Sequence, residues 1–365
     1  MKGLYVHIPF CKTICSYCDF PKIIARPQQQ EDYIRRLLEE LELYSSQLQD
    51  ISTVYIGGGT PNAIPLGLLK TLFEKLSKPI SEAEEVTVEL NPELLTKAAV
   101  DLLKASGVNR VSLGVQSLSS AALKTLNRHH TREDVVHAIS MLREAGITNI
   151  NVDLMFGIPG TTIGDTEADL DFVLGLNIPH LSCYSLILEE RTVLMHRISH
   201  KMLEMPSDDT VADMYELITR KLKACGYHHY EISNFAKPGY ESRHNLLYWS
   251  GGEYIGVGCG ACGYLQSVRT QNHRILSRYM KDFIEEREYI SVQEKKKEYF
   301  LLGLRKMDGV SLTQYEKQFH SNPMEDFDLN GLLRKGLIEI QGDMLRICPD
   351  KIFVANLVFE EFVGD

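Results

Sequence analysis

Gly3-Leu-Tyr-Val-His-Ile-Pro-Phe-Cys11-Lys-Thr-Ile-Cys15-Ser-Tyr-Cys18-Asp-Phe20 begins as a β-strand and ends as a loop of thiols. Leu4, Val6 and Ile8 fall on one phase of the strand, and Tyr5 and His7 on the other. That period of two describes one apolar and one polar face. A parallel strand covered by helices on both faces would read as a continuous Val/Ile/Leu run instead. The alternation recurs downstream in strands expected at 52–57, 85–91, 109–116, 149–156 and 180–186. Val54 and Ile56, Val86, Val88 and Leu90, Val111, Leu113 and Val115, and Ile150, Val152, Leu154 and Phe156 form the apolar phase. Opposite them stand Thr53, Tyr55 and Gly57, Thr87 and Glu89, Ser112, Gly114 and Gln116, and Asn151, Asp153 and Met155. Helical stretches separate the strands, the first with Ile34, Leu37, Leu38, Leu41, Tyr44 and Leu48 on one face. The economical reading is α/β, a partial (β/α)6 TIM-like barrel whose lumen is polar enough for a polar ligand. An open sheet with one wet face is the alternative.

The 365 residues exceed one domain of about 150, so a large domain with an appendage is expected. With 44% hydrophobic and 24% charged residues the chain is neither disordered nor collagenous nor membrane-spanning. The 49 acidic residues outnumber 39 basic ones, giving a net charge of −10, which argues against nucleic acid as a partner. There is no signal-length apolar stretch before His7 and no run of about 20 apolar residues. A cytoplasmic protein with no transmembrane segment is therefore expected.

The βα rhythm breaks after residue 190. Residues 1–235 are expected to form the barrel, with a helix near 207–225. Residues 236–290 form a connecting segment containing Arg243-His-Asn-Leu-Leu-Tyr-Trp249 and the glycine-dense run 251–263. Residues 291–365 read as a smaller C-terminal α+β module, resembling a winged helix, with a hairpin in 336–348. The Lys295-Lys-Lys297 run reads as a solvated helix face.

Eight cysteines are too sparse for a disulfide scaffold and are unevenly placed. Cys11, Cys15 and Cys18 follow the first strand directly, where a barrel carries its active-site loops. Three thiolates leave one coordination position of an iron–sulfur cluster open. Zinc with His7 as a fourth ligand is a second reading of the same residues. Cys259 and Cys262 lack the histidine of a Cys-x-x-Cys-His attachment motif, and small residues packing in a turn suit them better.

The stretch His7-Ile-Pro-Phe-Cys11-x3-Cys15-Ser-Tyr-Cys18-Asp-Phe20 resembles the cluster loop of radical S-adenosylmethionine (SAM) proteins, in the branch of coproporphyrinogen dehydrogenases (HemN) and heme chaperones (HemW). The resemblance implies a [4Fe-4S] cluster on Cys11, Cys15 and Cys18, with SAM on the fourth iron. It implies SAM contacts from Gly58, Gly59 and Thr60, from Arg128 to the carboxylate, and from Tyr5, Tyr17 and Tyr184. Glu89, Gln116 and Asp153, on the polar phase near successive strand ends, are placed for the amine and the ribose hydroxyls. The match runs from Tyr5 through Asp153.

The dehydrogenases of that branch carry a further cysteine two places after the third and an amino-terminal extension. Here Phe20 takes the cysteine's place and four residues precede Tyr5. His244-Asn-Leu-Leu-Tyr-Trp249 matches the HNxxYW signature of the heme chaperones, and His244 can supply a nitrogen to heme iron. A packed, hydrogen-bonded His244 is the alternative. The expected function is a heme chaperone that carries the cluster and SAM and hands heme to acceptor proteins, respiratory membrane enzymes among them, as a homodimer. No residue is assigned a catalytic role. The rival functions are oxygen-independent coproporphyrinogen III dehydrogenase and a heme-degrading radical SAM methyltransferase.

Overall fold

The computed structural model describes residues 1–363. Six strands pair in chain order, each parallel to the next: β1 (Lys2–Ile8), β2 (Ile51–Gly58), β3 (Glu85–Leu90), β4 (Arg110–Gln116), β5 (Asn149–Phe156) and β6 (His180–Ser185). Each lies within one residue of its expected span. The apolar phase is buried under the helices: Leu4, Val6, Ile8, Val54, Ile56, Val88, Val111, Leu113 and Val152 join one core with Tyr33, Ile34, Leu37 and Leu41 of the Pro27–Leu43 helix. That helix is shorter than its apolar spacing implied. It stops at Leu43, and Leu48 is buried from the turn beyond, because Ser45 and Ser46 favour turns over a further helical turn.

The sheet does not end at these six. It has twelve strands and two free ends, so the barrel is open. Past β6 it continues antiparallel through β8 (Asn234–Ala236) to β7 (His228–Glu231). At the other edge β9 (Glu253–Val257) lies parallel to β1, Lys2 opposite Glu253 and Val6 opposite Val257. From β9 the sheet runs outward, antiparallel, through β10 (Cys262–Leu265), β11 (Val268–Asn272) and β12 (Ile284–Tyr289). The glycine-dense run is thus strand and tight turn. A Cβ on Gly256 would lie 1.7 Å from the Cys262 carbonyl oxygen, so only glycine allows β9 and β10 to approach.

Glu40 of the Pro27–Leu43 helix pins this added edge. It is buried and accepts hydrogen bonds from Tyr279 Oη (2.6 Å), Asn272 Nδ2 (2.6 Å) and the Gly258 amide (2.8 Å). Replacing Glu40 with alanine leaves three buried donors unpaired and is expected to cost about 2 kcal/mol of stability. A shift of the urea midpoint at unchanged slope measures it. A midpoint within error of wild type would contradict the role given to Glu40.

The C-terminal unit has its own core of Phe300, Leu304, Tyr315, Leu332, Leu345 and Phe362. A three-stranded antiparallel sheet covers it, in the order β13 (Val310–Ser311), β15 (Met344–Ile347), β14 (Ile338–Gln341). The expected solvated lysine face is corrected here. Lys296 pairs with Asp326 at 2.9 Å, and Lys295 is half-buried against Ser267, because this helix packs into the junction between the two cores. No helix among the described residues is long and apolar enough to cross a membrane.

Candidate functional site

The cysteine loop leaves β1 at its carboxyl end and is clamped at its base. The Cys11 amide donates to the Ile23 carbonyl (3.0 Å) and the Ile23 amide to that of Pro9 (2.7 Å). Its far side is tied to the chain after β4: the Ser16 amide reaches the Leu126 carbonyl (2.9 Å), Ser16 Oγ that of Thr125 (2.7 Å), and Asn127 Nδ2 that of Ile14 (2.8 Å). The loop is therefore held by backbone and by the Ser16 and Asn127 side chains, with no thiol among these bonds. All three cysteines are free and partly exposed. Thr60 Oγ1 lies 3.7 Å from Cys11 Sγ. Burial pushes the Cys11 thiol up to about 11 against that hydrogen bond, so its thiolate needs a cation beside it, which a metal would supply. Burial also raises the Cys18 thiol, while the Lys22 ammonium opposes the shift.

Beneath the loop, the end of β2 continues the sheet toward it. The Gly59 amide donates to the Ile8 carbonyl (2.8 Å) and the Thr60 amide to that of Phe10 (2.8 Å). Gly58 has φ +114°, and a Cβ there would strike the His7 ring at 2.5 Å, so glycine is required on both counts. The Gly58 amide donates to Glu89 Oε2 (3.0 Å), and Tyr55 Oη to Glu89 Oε1 (2.6 Å). Burial pushes the Glu89 carboxyl up to about 7 in spite of these two donors. Asp153 accepts from Asn151 Nδ2 (2.7 Å) and Ser112 Oγ (3.1 Å), and burial raises its pKa as well.

Gln116 takes a left-handed conformation, φ 69°, at a bulge where β4 slips against β5, which turns it out of the strand's alternation. Its Nε2, the Asn91 Oδ1 and an Arg128 Nη2 all surround Gly114. Arg128 is buried and donates to Asn91 Oδ1 (3.0 Å) and the Gly114 carbonyl, with Glu93 at 4.0 Å. Tyr17 packs with Met155 on Ala122, Leu126 and Ile158. Tyr184, opposite Met155 on β6, is 39% exposed at the rim.

These residues gather at one mouth of the lumen. Among the described residues no group of three or more His, Cys, Asp and Glu side chains is arranged for a single metal ion. His7, the candidate fourth zinc ligand, has both ring nitrogens engaged, with Tyr5 Oη at 2.9 Å and the Pro21 carbonyl at 3.0 Å. The residues fit a cluster and SAM better. Among the described residues the two buried carboxyls at raised pKa make no direct ion pair, the Arg110 guanidinium only partly offsetting their burial, and the Arg128 Nε and Glu93 Oε2 are buried without a hydrogen-bond partner. Such a set matches a ligand bearing an ammonium, a carboxylate and a diol.

Sequence reasoning missed Tyr55, Asn91 and Glu93, although Tyr55 is on the polar phase already identified and Asn91 and Glu93 continue the two-residue step from Glu89. Tyr5 sits below the mouth, its hydroxyl held by His7. The structure does not bring His244 to this site. The Arg243–Trp249 helix plugs the opposite end of the lumen, capped by the Glu85 carboxylate on the Arg243 and His244 amides, both at 3.0 Å. There His244 is buried, stacked on Tyr55, with Nδ1 on Thr53 Oγ1 and Nε2 on Tyr248 Oη, both at 2.8 Å. Burial lowers its pKa to about 3, so the ring is neutral.

Comparison with known proteins agrees with this geometry. Residues 5–173 match the radical SAM superfamily. The chain is 38% identical to the heme chaperone HemW of Lactococcus lactis, over 99% of this chain and 97% of that one. It is also 38% identical to HemW of Bacillus subtilis over the whole of both. The solved structure of Escherichia coli coproporphyrinogen III oxidase (HemN) superposes with a TM-score of 0.86, over 99% of this chain and 89% of that one, at 21% identity. That last likeness is one of fold. An open α/β barrel with a three-cysteine loop at its mouth, matched end to end by such relatives, makes this chain a member of the HemW family of radical SAM proteins.

Proposed function

We propose that this protein is a heme chaperone that carries a [4Fe-4S] cluster and SAM, binds heme and passes it to acceptor proteins, respiratory membrane enzymes among them. The carrying observation is the clamped Cys11–Cys18 loop over the Gly58–Thr60 turn, in a chain whose relatives are named heme chaperones along their full length. Cys11, Cys15 and Cys18 would hold the cluster. When bound, such a cluster would supply the one electron that cleavage of a carbon–sulfur bond of SAM requires. Glu89 would hold the ammonium, Arg128 the carboxylate, and Asp153 and Gln116 the ribose hydroxyls, while the peptide groups of Gly58–Thr60 would line the methionyl chain. Tyr17 and Tyr184 flank this ligand. Phe20, 66% exposed at the edge of the loop, offers no fourth thiol. Liganding of heme iron by His244 is left out of this proposal, since both its ring nitrogens are committed to Thr53 and Tyr248.

Anaerobic reconstitution with iron and sulfide tests the reading. The expected result is a cluster whose magnetic-resonance spectrum changes on SAM addition, stoichiometric uptake of heme, and no conversion of coproporphyrinogen III. Turnover of coproporphyrinogen would replace the chaperone reading with the dehydrogenase one. A protein that takes up no heme would end the chaperone reading outright.

A further inference from the structure

The two aromatic residues of the HNxxYW motif do not face where its histidine faces. Tyr248 and Trp249 line a separate cavity of about 490 Å³ between the added edge strands and the C-terminal unit. Tyr254, Tyr264 and Tyr299 line it too. Tyr248 is fixed by its bond to His244 Nε2 and by the Tyr254 ring, edge-on at 4.5 Å. Trp249 is held under the Arg305 guanidinium, 5.0 Å from the ring centre. One part of the wall is thus aromatic and fixed before any ligand arrives, and the volume lies in the range of sites for compact organic ligands, roughly 300–1,000 Å³.

The charge on this cavity runs against that of the chain. Arg269 is neutralised by Glu288 and Glu298. Lys295 and Lys306, which also line the cavity, donate to hydroxyls, those of Ser267 and Ser250. Burial lowers the Lys306 pKa more than the nearby Asp308 carboxylate raises it. In a protein of net charge −10, two lysines without a direct ion pair on one aromatic-walled cavity select a flat apolar body with carboxylates at its edge.

We propose that this cavity is the heme site, with the macrocycle against the Tyr248–Trp249 wall and its two propionates on Lys295 and Lys306. The proposal rests on the heme-chaperone reading above. It makes His244 a positioning residue, which sets Tyr248 from the lumen side.

Absorption titration of the full-length, cluster-reconstituted protein with ferric heme, and with heme dimethyl ester whose propionates are neutral, tests it. In Lys295→Glu/Lys306→Glu the dissociation constant for heme is expected to rise about tenfold or more, with that for the ester nearly unchanged. Leu302→Trp, which fills the cavity from its wall, is expected to weaken both ligands. The SAM-induced spectral change is expected to persist in each variant and reports that the barrel is intact. If Leu302→Trp does not fold, the ratio of heme to ester affinity in the lysine variant decides. Wild-type heme binding with an unchanged ratio in the lysine variant overturns the cavity assignment and leaves the chaperone reading standing. Failure of the wild type to take up heme overturns both.

Discussion

Gly59→Val is expected to cut the iron bound after reconstitution by at least about tenfold, with the fold retained. A Cβ at residue 59 would lie 2.9 Å from the Phe10 carbonyl oxygen, 2.9 Å from the Pro9 carbonyl carbon and 3.0 Å from Cys11 Sγ. Two of these are backbone atoms in the clamped base of the loop, so they cannot swing aside as a long side chain would. Valine adds two more methyl carbons, and overpacking of this kind costs about 1–3 kcal/mol where the surroundings are fixed. The atom free to yield is the Cys11 sulfur, and its displacement removes a ligand. Gly67→Ala, at a position with nothing within 4 Å, is the control and is expected to leave iron content unchanged. Iron per chain, read beside far-UV circular dichroism, decides. A Gly59→Val protein with wild-type iron would mean that the loop is looser than its hydrogen bonds imply.

The second large effect is expected at Glu89. Its carboxyl is raised by burial from an ordinary 4.5 to about 7, so between those values the folded chain holds a proton that the unfolded chain has released. Stability therefore falls as pH rises through that window, by about 3 kcal/mol in total. An ammonium placed against Glu89 favours the carboxylate. SAM should then bind with release of a proton below pH 7, and its affinity should rise by up to about tenfold per pH unit before levelling above 7. Glu89→Gln is expected to be more stable than wild type at alkaline pH, to bind SAM roughly 100-fold more weakly there, and to lose the pH dependence. Calorimetric titration in two buffers of different ionisation enthalpy measures both affinity and proton release. A wild-type affinity flat across about pH 5.5 to 8, or a glutamine variant within threefold of wild type, would falsify the role given to Glu89.

Why so much of the barrel was legible in the sequence, and so little of its surroundings, has a physical cause. A strand with one face under helices must alternate, and β1–β6 do so with few exceptions, such as Ile51 and Met155, which located them to within a residue. The same alternation identified Glu89 and Asp153, because a carboxylate on the lumen phase near a strand end has few structural reasons to be there. Tyr55 and Asn91 were not singled out as site residues because a tyrosine on a strand, or an asparagine just past one, is ordinary until a partner is seen. The edge strands β9–β12 were invisible for a different reason. Their residues alternate weakly, and their glycines, needed for close approach of β9 to β10, read locally as loop. His244 shows the limit of motif reading: the motif is real, but its histidine faces the lumen while its aromatic rings line a separate cavity, a division that six residues of sequence do not reveal.

The parallel pairing of β1 with β9 has a consequence for biosynthesis. Strand β1 is synthesised before both its neighbours: Ile51–Gly58 follows within about 50 residues, and the other comes only at Glu253–Val257. Until the latter emerges, one flank of Lys2–Val6 offers its amides and carbonyls to whatever is near, the situation in which nascent sheets mispair. The thiol loop springs from that same strand, so during synthesis the three cysteines exist for some 230 residues of elongation beside an incomplete sheet.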